Sequence, residues 1–455
     1  MSFYGKHFKG KTVTLMGLGL LGRGVGDAIF LLEQGVKLTV TDLKTEDRLK
    51  ESIDRLKDFD GVSFTLGEHR MEDFESADMV IKAAGVPLSS PYIERAHSNN
   101  VPVYMSTALF AKFTPAKVIG ITGTKGKTTV SHLLKHILLT AGRKVFLGGN
   151  ALPASTLAHL PESTEDEIVV LELDSWQLQG FGDLGISPSF SVFTNFMPDH
   201  LNYYKGDMEA YFFDKSHIFA YQKEGDVLVL GDGVEAEIER YCKSPLKAEI
   251  IRASLDDVPE SWINSIPGDH NRMNASQAFS MALKLGVSLE ICKEAFKGFR
   301  PVPGRLERLG SFQGRTFFND NSATVPEATV ASIRALKGNG GGLILILGGS
   351  DKDLPLDILK EAVESSVTKT FALPGSGTDR LLKMIDSKKV RSVSSLSEAV
   401  EAAFSISREG DTILFSPAFA SFSQFNNEYE REESFLREVK ERFSSDRAPN
   451  PDINR

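Results

Sequence analysis

I-G-I-T-G-T-K-G-K-T-T-V, residues 119–130, joins a short apolar run to an amphipathic segment that begins near Thr128. A β-branched strand, a glycine-rich turn and a helix start form the context in which a Gly-Lys-Thr signature indicates phosphate binding. Backbone N–H groups of the turn converge on an anion, Lys127 adds positive charge at the β- and γ-phosphates, and the Thr128 hydroxyl can ligate Mg²⁺. The stretch predicts a nucleotide triphosphate site, formed by Gly123, Thr124, Lys125, Gly126, Lys127, Thr128 and Thr129.

The spacing of this turn departs from the usual one, in which a glycine and four further residues precede Gly-Lys-[Ser/Thr]. Ile121 occupies the place of the first glycine, and Gly120 stands one residue too early. The alternative is an ordinary glycine-rich turn between a strand and a helix. The apolar strand before the turn and the Lys-Thr-Thr ending favour phosphate binding.

The size and composition of the chain limit its class. At 455 residues it is too long for one hydrophobic core, and a prior of about 150 residues per domain suggests about three domains. The formal charge of -9 provides no basic field for a nucleic-acid backbone. Cys242 and Cys292 lack metal-ligand spacing, and no apolar run is long enough to cross a bilayer. We expect a cytoplasmic, monomeric enzyme with no nucleic-acid or membrane partner.

The N-terminal segment has the pattern of a dinucleotide-binding βαβ unit. A strand at Thr12 to Met16 is followed by G-L-G-L-L-G at 17–22 and a helical stretch, and the second strand leads to Asp42. In this pattern the pyrophosphate of a dinucleotide meets the helix N-terminus and the acidic residue meets a ribose. Taken alone, residues 17–42 predict an NAD-binding enzyme.

Polar residues also follow strands of the central region. Glu172 lies near the end of an apolar strand. His200 lies in the segment N-F-M-P-D-H-L-N, which follows a strand at Ser191 to Asn195. A carboxylate and an imidazole at strand ends near a triphosphate are natural Mg²⁺ ligands, or groups that hydrogen-bond to the ligands. Lys215 lies in an apparent helix, Met208 to Tyr221, where a lysine ordinarily extends to solvent. The helical pattern alone therefore gives Lys215 no role.

The alternation of strands and helices predicts an α/β fold with three domains. We expect a Rossmann-like domain over residues 1–110, a central P-loop ATPase-type parallel-sheet domain over 111–302 and a Rossmann-like domain over 303–455. The last of these follows from three strands, each with a loop after it, which imply another parallel sheet: Leu343 to Leu347, Thr370 to Leu373 and Thr412 to Phe415.

Nine short motifs follow one another along nearly the whole chain: G-L-G-L-L-G at 17–22, I-T-G-T-K-G-K-T-T at 121–129, G-G-N at 148–150, E-L-D-S-W-Q-L at 172–178, N-F-M-P-D-H-L-N at 195–202, G-D-H-N at 268–271, P-G-R-L-E at 303–307, N-D-N-S-A-T at 319–324 and S-P-A-F-A-S-F at 416–422. In this order they resemble the Mur ligases of bacterial peptidoglycan synthesis, and most closely the members that add D-glutamate.

The resemblance implies an ATP-dependent ligase that joins D-glutamate to UDP-N-acetylmuramoyl-L-alanine through an acyl phosphate. The N-terminal domain would hold the UDP end of that substrate, the central domain ATP, and the C-terminal domain the incoming amino acid. Asn150 matches a contact to the muramoyl group, and Asp42 would lie near the uracil. The residues implied to bind the UDP substrate are Gly17, Gly19, Leu20, Leu21, Gly22, Asp42, Gly85 and Asn150.

Further roles follow from the same resemblance. Lys215 matches a carbamylated lysine of the family, fifteen residues after His200. Carbamylation would turn its cation into an anion able to hold the second of two Mg²⁺ ions. The implied catalytic residues are Lys127, Glu172, His200 and Lys215; the implied metal ligands are Thr128, Glu172, His200 and Lys215; further ATP contacts are Asn271, Arg305 and Asp320; and the amino-acid site is formed by Thr324, Lys352 and Ser421.

Three positions depart from the family pattern. Lys125 replaces the usual asparagine of the phosphate loop, Ser322 stands where many relatives have lysine, and Glu428-Tyr429 replaces an aromatic-first pattern. Because the last two concern the acceptor side, a Mur ligase that adds another amino acid, such as L-glutamate, is the first alternative. An NAD-dependent dehydrogenase and a nucleotide-binding regulatory protein without turnover are the others.

Overall fold

The chain folds around three β-sheets. The computed structural model describes residues 4–20, 22–151, 154–263, 265–337, 341–386, 388–421, 424–425 and 427–443. Within these ranges, no helix is both long and apolar enough to cross a lipid bilayer. The three sheets and the helices between their strands confirm the predicted three-domain α/β fold. The exact boundaries after residues 110 and 302 stay predictions.

The first sheet is formed by five short strands, β1 (Thr12–Met16), β2 (Lys37–Asp42), β3 (Val62–Leu66), β4 (Met79–Lys82) and β5 (Val103–Tyr104). All neighbours are parallel in the order β3-β2-β1-β4-β5. The strand order reverses between β1 and β4, so the carboxyl ends of these two strands form the crevice where such sheets bind ligands. The helices of this region are α1 (Gly5–Phe8), α2 (Arg23–Glu33), α3 (Glu46–Asp54), α4 (Glu72–Glu75), α5 (Pro91–Ser98) and α6 (Ser106–Phe113).

The second sheet contains β6 (Lys117–Thr122), β7 (Lys144–Gly149), β8 (Glu167–Glu172), β9 (Phe190–Phe193), β10 (Val227–Leu230) and β11 (Glu249–Arg252). Its order is β11-β10-β9-β6-β8-β7, again with all neighbours parallel. The carboxyl ends of β9, β6, β8 and β7 therefore lie side by side along one edge of the sheet.

The helices that follow β6 in the chain are α7 (Lys127–Thr140), α8 (Ser175–Leu184), α9 (Leu201–Tyr204), α10 (Met208–Ser216), α11 (Val234–Tyr241), α12 (Asp269–Lys284) and α13 (Leu289–Gly298), with 3-10 turns at Leu157–Glu162, Leu255–Asp257 and Glu260–Trp262. The helix predicted from Met208 to Tyr221 thus ends early. Its end is fixed by the Ser187 hydroxyl, which donates to the His217 carbonyl at 2.7 Å and accepts from the Tyr221 N–H at 3.0 Å.

The third sheet contains β12 (Glu307–Phe312), β13 (Arg315–Asn319), β14 (Leu343–Gly348), β15 (Lys369–Leu373), β16 (Val390–Ser392) and β17 (Thr412–Phe415), in the order β12-β13-β17-β14-β15-β16. Five strands are parallel, as predicted, but β12 pairs antiparallel with β13 across a tight hairpin. Its helices are α14 (Pro326–Leu336), α15 (Asp357–Ser366), α16 (Ser376–Leu382), α17 (Leu396–Ile406) and α18 (Glu428–Phe443).

The chain divides into two compact units. One contains Met1–Asp257 and Asn274–Ala295, and the other contains Val258–Met273 and Phe296–Arg455. In the first unit, one buried cluster joins side chains of the first sheet, such as Leu15, to side chains of the second sheet, such as Leu171. The first two sheets therefore share a hydrophobic core, whereas the third sheet is buried by clusters of its own.

Candidate active site

The predicted phosphate loop lies between β6 and α7, at the centre of the second sheet. Its turn requires glycine at two positions, because Gly123 and Gly126 have φ angles of 142° and 85°. A β-carbon at Gly123 would collide with the Thr194 hydroxyl, and one at Gly126 would collide with the side-chain oxygen of Asn274. The loop is therefore enclosed by neighbouring polar side chains that a larger residue would displace.

Helices α2 and α7, like most helices of the first unit, begin without a side-chain cap. Helices α2 and α7 each begin after a left-handed glycine, Gly22 and Gly126, which offers no oxygen to the first N–H groups. In contrast, Asp174 and Asp207 accept from the first-turn N–H groups of α8 and α10. Uncapped N–H groups at a helix start are donors suited to an anion. This geometry agrees with phosphate groups at both predicted sites.

Two lysines of the predicted catalytic set meet at one backbone oxygen. Lys127 Nζ donates to the carbonyls of Gly123 and Thr124, both at 3.0 Å, and Lys215 Nζ donates to the Gly123 carbonyl at 2.8 Å. Lys215 is only 1% exposed, so the expectation that it extends to solvent is wrong. It is held inside because Tyr211, one turn earlier, packs its ring 4.9 Å from the ammonium nitrogen.

Burial also sets the charge of these lysines. It is the main cause that lowers the pKa of Lys127, and it lowers the pKa of Lys215 well below its usual value, with a further decrease from the nearby Lys127 charge. A low pKa favours the uncharged amine, which is the form of lysine that acts as a nucleophile. Burial thus favours the uncharged amine of Lys215.

The phosphate loop is hydrogen-bonded at Thr124 and Lys125 to the segment after β9. The Thr124 N–H donates to the Asn195 carbonyl at 2.9 Å, and the Lys125 N–H donates to the Asn195 side-chain oxygen at 2.9 Å. The Thr124 hydroxyl donates to the Met197 carbonyl at 3.1 Å. These contacts fix the loop against the segment that carries His200.

The Lys125 side chain lies close to the predicted metal ligand His200. Its Nζ is 3.0 Å from a carboxylate oxygen of Asp199, which is almost buried, and the other carboxylate oxygen accepts the His200 N–H at 2.9 Å. His200 itself begins α9 with a φ angle of 53°, and its ring lies 4.8 Å from that of Trp176. The charge of Lys125, which replaces the usual asparagine of the family pattern, is therefore paired with Asp199.

Glu172, at the carboxyl end of β8, has the surroundings of a cation ligand. Its side chain is 3% exposed, and its Oε2 atom is buried without a hydrogen-bond partner in the described part of the chain. A buried carboxylate oxygen is costly unless a cation or a donor reaches it, so this atom fits an Mg²⁺ ion. No three His, Cys, Asp or Glu side chains among the described residues form a ready-made metal site. The other predicted ligands, Thr128, His200 and Lys215, would have to complete such a site together with substrate oxygens.

Asn150 follows β7 and lies beside Glu172. Its N–H donates to the Glu172 carbonyl at 2.7 Å. The structure therefore brings together three predicted features, the muramoyl contact, the metal ligand and the phosphate loop, at adjacent strand ends of one sheet. On its other side Asn150 contacts Arg23 of α2, a residue that the sequence did not single out.

The glycine-rich turn after β1 is ordered by Asp42. One carboxylate oxygen of Asp42 accepts the N–H groups of Leu18 and Gly19 at 2.9 and 3.0 Å, and the other accepts the Lys44 N–H. Gly17, Gly19 and Gly22 have positive φ angles, Leu20 is 62% exposed, and Gly85 follows β4 at the same crevice. Leu21 lies outside the described residues. A contact of Asp42 with uracil stays a prediction.

Three predicted ATP contacts belong to the second unit. Asp320 accepts the Leu306 N–H at 3.0 Å with one oxygen and the hydroxyls of Ser332 and Ser416 with the other. Burial raises the pKa of Asp320 to about 6. Asp320 thus fixes the backbone immediately after Arg305. The third residue, Asn271, donates its amide to the Pro267 carbonyl at 3.0 Å.

The predicted amino-acid site also lies in the second unit. Lys352 Nζ donates to the Thr324 hydroxyl at 3.3 Å. Ser421 is buried directly after Ala420, which pairs with Ser350 in an isolated antiparallel bridge. Ser350 and Lys352 share one loop, so the bridge holds that loop beside the segment with Ser421.

Sequence reasoning missed the buried Arg431, which supports this second site. Its Nε donates to the Asn321 side-chain oxygen at 2.7 Å and its Nη2 to the Asn321 carbonyl at 2.9 Å. Asn321 stands three residues before Thr324, so Arg431 orders the same loop. Asn195 and Asp199 were missed as well, although both lie in the quoted motif around His200. No pattern in the sequence pointed to Arg431.

Family models match the chain in three consecutive parts. Residues 11–105 match the Mur ligase MurD-like N-terminal domain, 121–277 the Mur ligase middle domain, and 304–419 the Mur ligase glutamate ligase domain. The parts contain the first sheet, the second sheet except most of β6, and the third sheet, respectively. Together they cover most of the chain.

Curated relatives match over nearly the full length. The chain is 34% identical over 464 residues to UDP-N-acetylmuramoylalanine--D-glutamate ligase of Roseiflexus sp. (strain RS-1), covering 94% of this chain and 98% of that one. It is also 34% identical over 440 residues to the protein of that name from Borreliella burgdorferi (strain ATCC 35210 / DSM 4680 / CIP 102532 / B31), covering 92% and 95%.

Solved structures share the fold at lower identity. UDP-N-acetylmuramate-alanine ligase MurC from Thermotoga maritima has a TM-score of 0.58 at 19% identity, with 96% of this chain and 100% of that chain covered. MurF ligase from Thermotoga maritima in complex with ADP has a TM-score of 0.58 at 18% identity, with 97% of both chains covered. With family models over most of its length and relatives above 30% identity, the chain belongs to the Mur ligase family.

Proposed function

We propose that this protein joins D-glutamate to UDP-N-acetylmuramoyl-L-alanine at the expense of ATP, in the synthesis of peptidoglycan precursors. The observation that supports this most directly is the row of strand ends in the second sheet, which has the phosphate loop, Glu172 and Asn150 on adjacent strands. The names of the relatives support the choice of D-glutamate and of the UDP-linked muramoyl substrate. Family membership removes the dehydrogenase interpretation of residues 17–42.

The chemistry requires activation, because a carboxylate does not react with an amine at neutral pH without a better leaving group. In our proposal the L-alanine carboxylate attacks the γ-phosphorus of ATP in line, forming a C–O–P bond while the bond to the β-phosphate oxygen breaks and ADP leaves. The amine of D-glutamate then attacks the acyl carbon, loses a proton and expels inorganic phosphate. Lys127 and the first-turn N–H groups of α7 hold the phosphates in line for the first step.

Mg²⁺ would be held by Thr128, Glu172 and His200, with a second ion at a carbamylated Lys215. When bound, these ions neutralise the charge that the phosphates and the carboxylate bring together. The surroundings of Lys215 support the modification, because its depressed pKa favours the free amine that reacts with CO₂. Carbamylation would also place a negative charge near Lys127 and Lys125.

The other residues proposed to bind the substrates are divided between the two units. Thr324, Lys352 and Ser421 would bind D-glutamate, with Lys352 as the cation for its carboxylates. Asn271, Arg305 and Asp320 would contact ATP. The UDP end of UDP-N-acetylmuramoyl-L-alanine would be surrounded by Gly17, Gly19, Leu20, Gly22, Asp42 and Gly85.

The test is an acceptor panel. Purified protein is given ATP, Mg²⁺ and UDP-N-acetylmuramoyl-L-alanine, with D-glutamate, L-glutamate, L-lysine, meso-diaminopimelate or L-alanine as the second substrate, and ADP and the ligated product are measured. We expect ADP and product to form together with D-glutamate alone. Product with L-glutamate instead would support the first alternative, and no ADP with any acceptor would support a regulatory protein.

A further inference from the structure

We propose that Arg23 is a positioning residue for the sugar end of the nucleotide substrate, acting through Asn150. The inference rests on the proposed function, because it takes Asn150 as the contact to the muramoyl group. Arg23 is the first residue of α2 and directly follows the glycine-rich turn. Its two guanidinium nitrogens donate to the Asn150 side-chain oxygen at 3.1 Å and to the Asn150 carbonyl at 3.2 Å.

This fork decides the orientation of the Asn150 amide. A guanidinium has donors and no acceptor, so only the oxygen of the Asn150 side chain can face Arg23. Both amide hydrogens then point away from Arg23 and are available to carbonyl, hydroxyl or carboxylate oxygens of a ligand. The backbone of Asn150 is held independently, because its N–H donates to the Glu172 carbonyl at 2.7 Å. Arg23 therefore selects which half of the amide a substrate meets.

A second contact, one helical turn further, joins α2 to the same segment. The Ser155 hydroxyl donates to the buried Asp27 carboxylate at 2.5 Å, and a β-carbon at Gly26 would collide with that of Ser155. Residues four apart lie on one face of a helix, so Arg23 and Asp27 contact Asn150 and Ser155 from the same side of α2. The position of Asn150 is thus fixed to the helix whose N-terminus follows the turn predicted for the UDP pyrophosphate.

The consequence is that one helix sets the distance between two ends of one ligand. The UDP end would bind at the start of α2, and the sugar end would meet the amide that Arg23 orients. Loss of the fork should leave the UDP end unaffected and weaken only ligands that reach Asn150. This separates a positioning role from direct contact with the pyrophosphate, which would weaken both.

The test compares the dissociation constants of UDP and of UDP-N-acetylmuramoyl-L-alanine for the full chain by calorimetry. For Arg23→Met we expect binding of UDP-N-acetylmuramoyl-L-alanine to weaken about 10-fold, because hydrogen bonds from a charged donor are lost, and binding of UDP to stay unchanged. Arg23→Lys should bind UDP-N-acetylmuramoyl-L-alanine nearly as weakly as Arg23→Met does, since a single ammonium cannot form the fork. In an Asn150→Ala background, Arg23→Met should have no further effect. Arg48→Met, on the exposed surface of α3, is the matched control.

Each other result counts against the proposal. Equal weakening of both ligands would make Arg23 a pyrophosphate contact, and unchanged binding of both would remove any role in substrate positioning. If Arg23→Lys bound UDP-N-acetylmuramoyl-L-alanine as tightly as wild type, the positive charge of Arg23 rather than its fork would be responsible for its effect on binding. Wild-type protein that binds UDP but not UDP-N-acetylmuramoyl-L-alanine would overturn the proposed function itself, which is a different failure from a variant that binds as wild type does. Thermal unfolding of every variant confirms that it is folded.

Discussion

At the scale of single residues, the site depends on lysines whose surroundings differ sharply. Lys127 and Lys215 share the carbonyl of Gly123, while Lys125, two residues from Lys127, pairs with Asp199. The sequence predicted Lys127 from its motif. It could not predict the burial of Lys215, because a helical lysine is usually solvated and only the fold shows that this one is not. The partner of Lys125 was equally hidden, since Asp199 is distant in sequence.

The first prediction concerns the modification of Lys215. Lys215→Met should reduce ADP formation at least about 100-fold, because the anion proposed to hold the second Mg²⁺ ion of the phosphoryl transfer is lost. Wild-type protein incubated with ¹³C-bicarbonate should show a carbamate carbonyl signal by NMR that is absent from the variant. Lys205→Met removes an exposed lysine ten residues earlier and should retain both the signal and the activity. A wild-type spectrum without the signal would contradict the prediction.

The second prediction concerns the pair of Lys125 and Asp199. Lys125→Asn should lower the free energy of unfolding by about 1–2 kcal/mol, because the nearly buried Asp199 carboxylate loses its cation. Adding Asp199→Asn should recover most of that loss, since no uncompensated charge then remains. Urea unfolding of the single and double variants measures the coupling. Strictly additive effects would show that the two side chains do not depend on each other.

At the scale of elements, the strand pattern was predictable and the pairing was not. The strand pattern gave β1 and β17 with the bounds that the structure has, and nearly all residues of both strands are buried, as is usual for strands inside parallel sheets. The β12–β13 hairpin was missed, since Glu307–Phe312 alternates weakly and one side of it is polar. The order of strands within each sheet is set by tertiary packing, so the adjacency of Glu172, Asn150 and the phosphate loop required the structure.

Helix α2 provides the third prediction, on pH. Burial raises the pKa of Asp27 to about 6, with Ser155 opposing the shift. The folded protein therefore binds the Asp27 proton more tightly than the unfolded chain does. The contribution of Asp27 to the free energy of unfolding is greatest below pH 3.8, the pKa of this carboxyl in the unfolded chain, and it falls as the pH rises to about 6. The shift corresponds to at most about 3 kcal/mol. Asp27→Asn should remove this loss.

The measurement is the difference in unfolding free energy between Asp27→Asn and wild type at several values between pH 4 and pH 7.5. We expect the difference to move in favour of the variant as pH rises, since all other groups cancel. Ser155→Ala removes a hydrogen bond to the carboxylate, so it should increase the pH-dependent loss instead. A difference that is the same at every pH would contradict a raised pKa in the folded state.

At the scale of the whole molecule, three sheets are distributed over two compact units. Hydrophobic patterning predicts which faces are buried but not which element covers them, so the shared core of the first two sheets could not be foreseen. The predicted contacts to the UDP substrate all lie in the first unit, and those to D-glutamate all lie in the second. Ligands should therefore stabilise the units selectively.

The fourth prediction follows from this division. Calorimetry of the full chain should show two unfolding transitions, because each unit has its own core. UDP-N-acetylmuramoyl-L-alanine at 100 times its dissociation constant should stabilise one of them by about 2.7 kcal/mol. Arg431→Met should lower the temperature of the other unfolding transition, because it leaves the side-chain and backbone oxygens of Asn321 without the donors of Arg431. A single transition shifted by both changes would contradict the independence of the two cores.

The carbonyl of Gly123 has a practical consequence for chemists who look for inhibitors. One peptide oxygen accepts hydrogen bonds from two amines, at 3.0 and 2.8 Å. An uncharged acceptor placed beside that oxygen, such as a sulfoxide or an amide, would accept N–H groups of these amines that the carbonyl does not use, and it would not need the negative charge of a phosphate group. Fragment libraries rich in neutral acceptors are therefore a rational starting point for this loop.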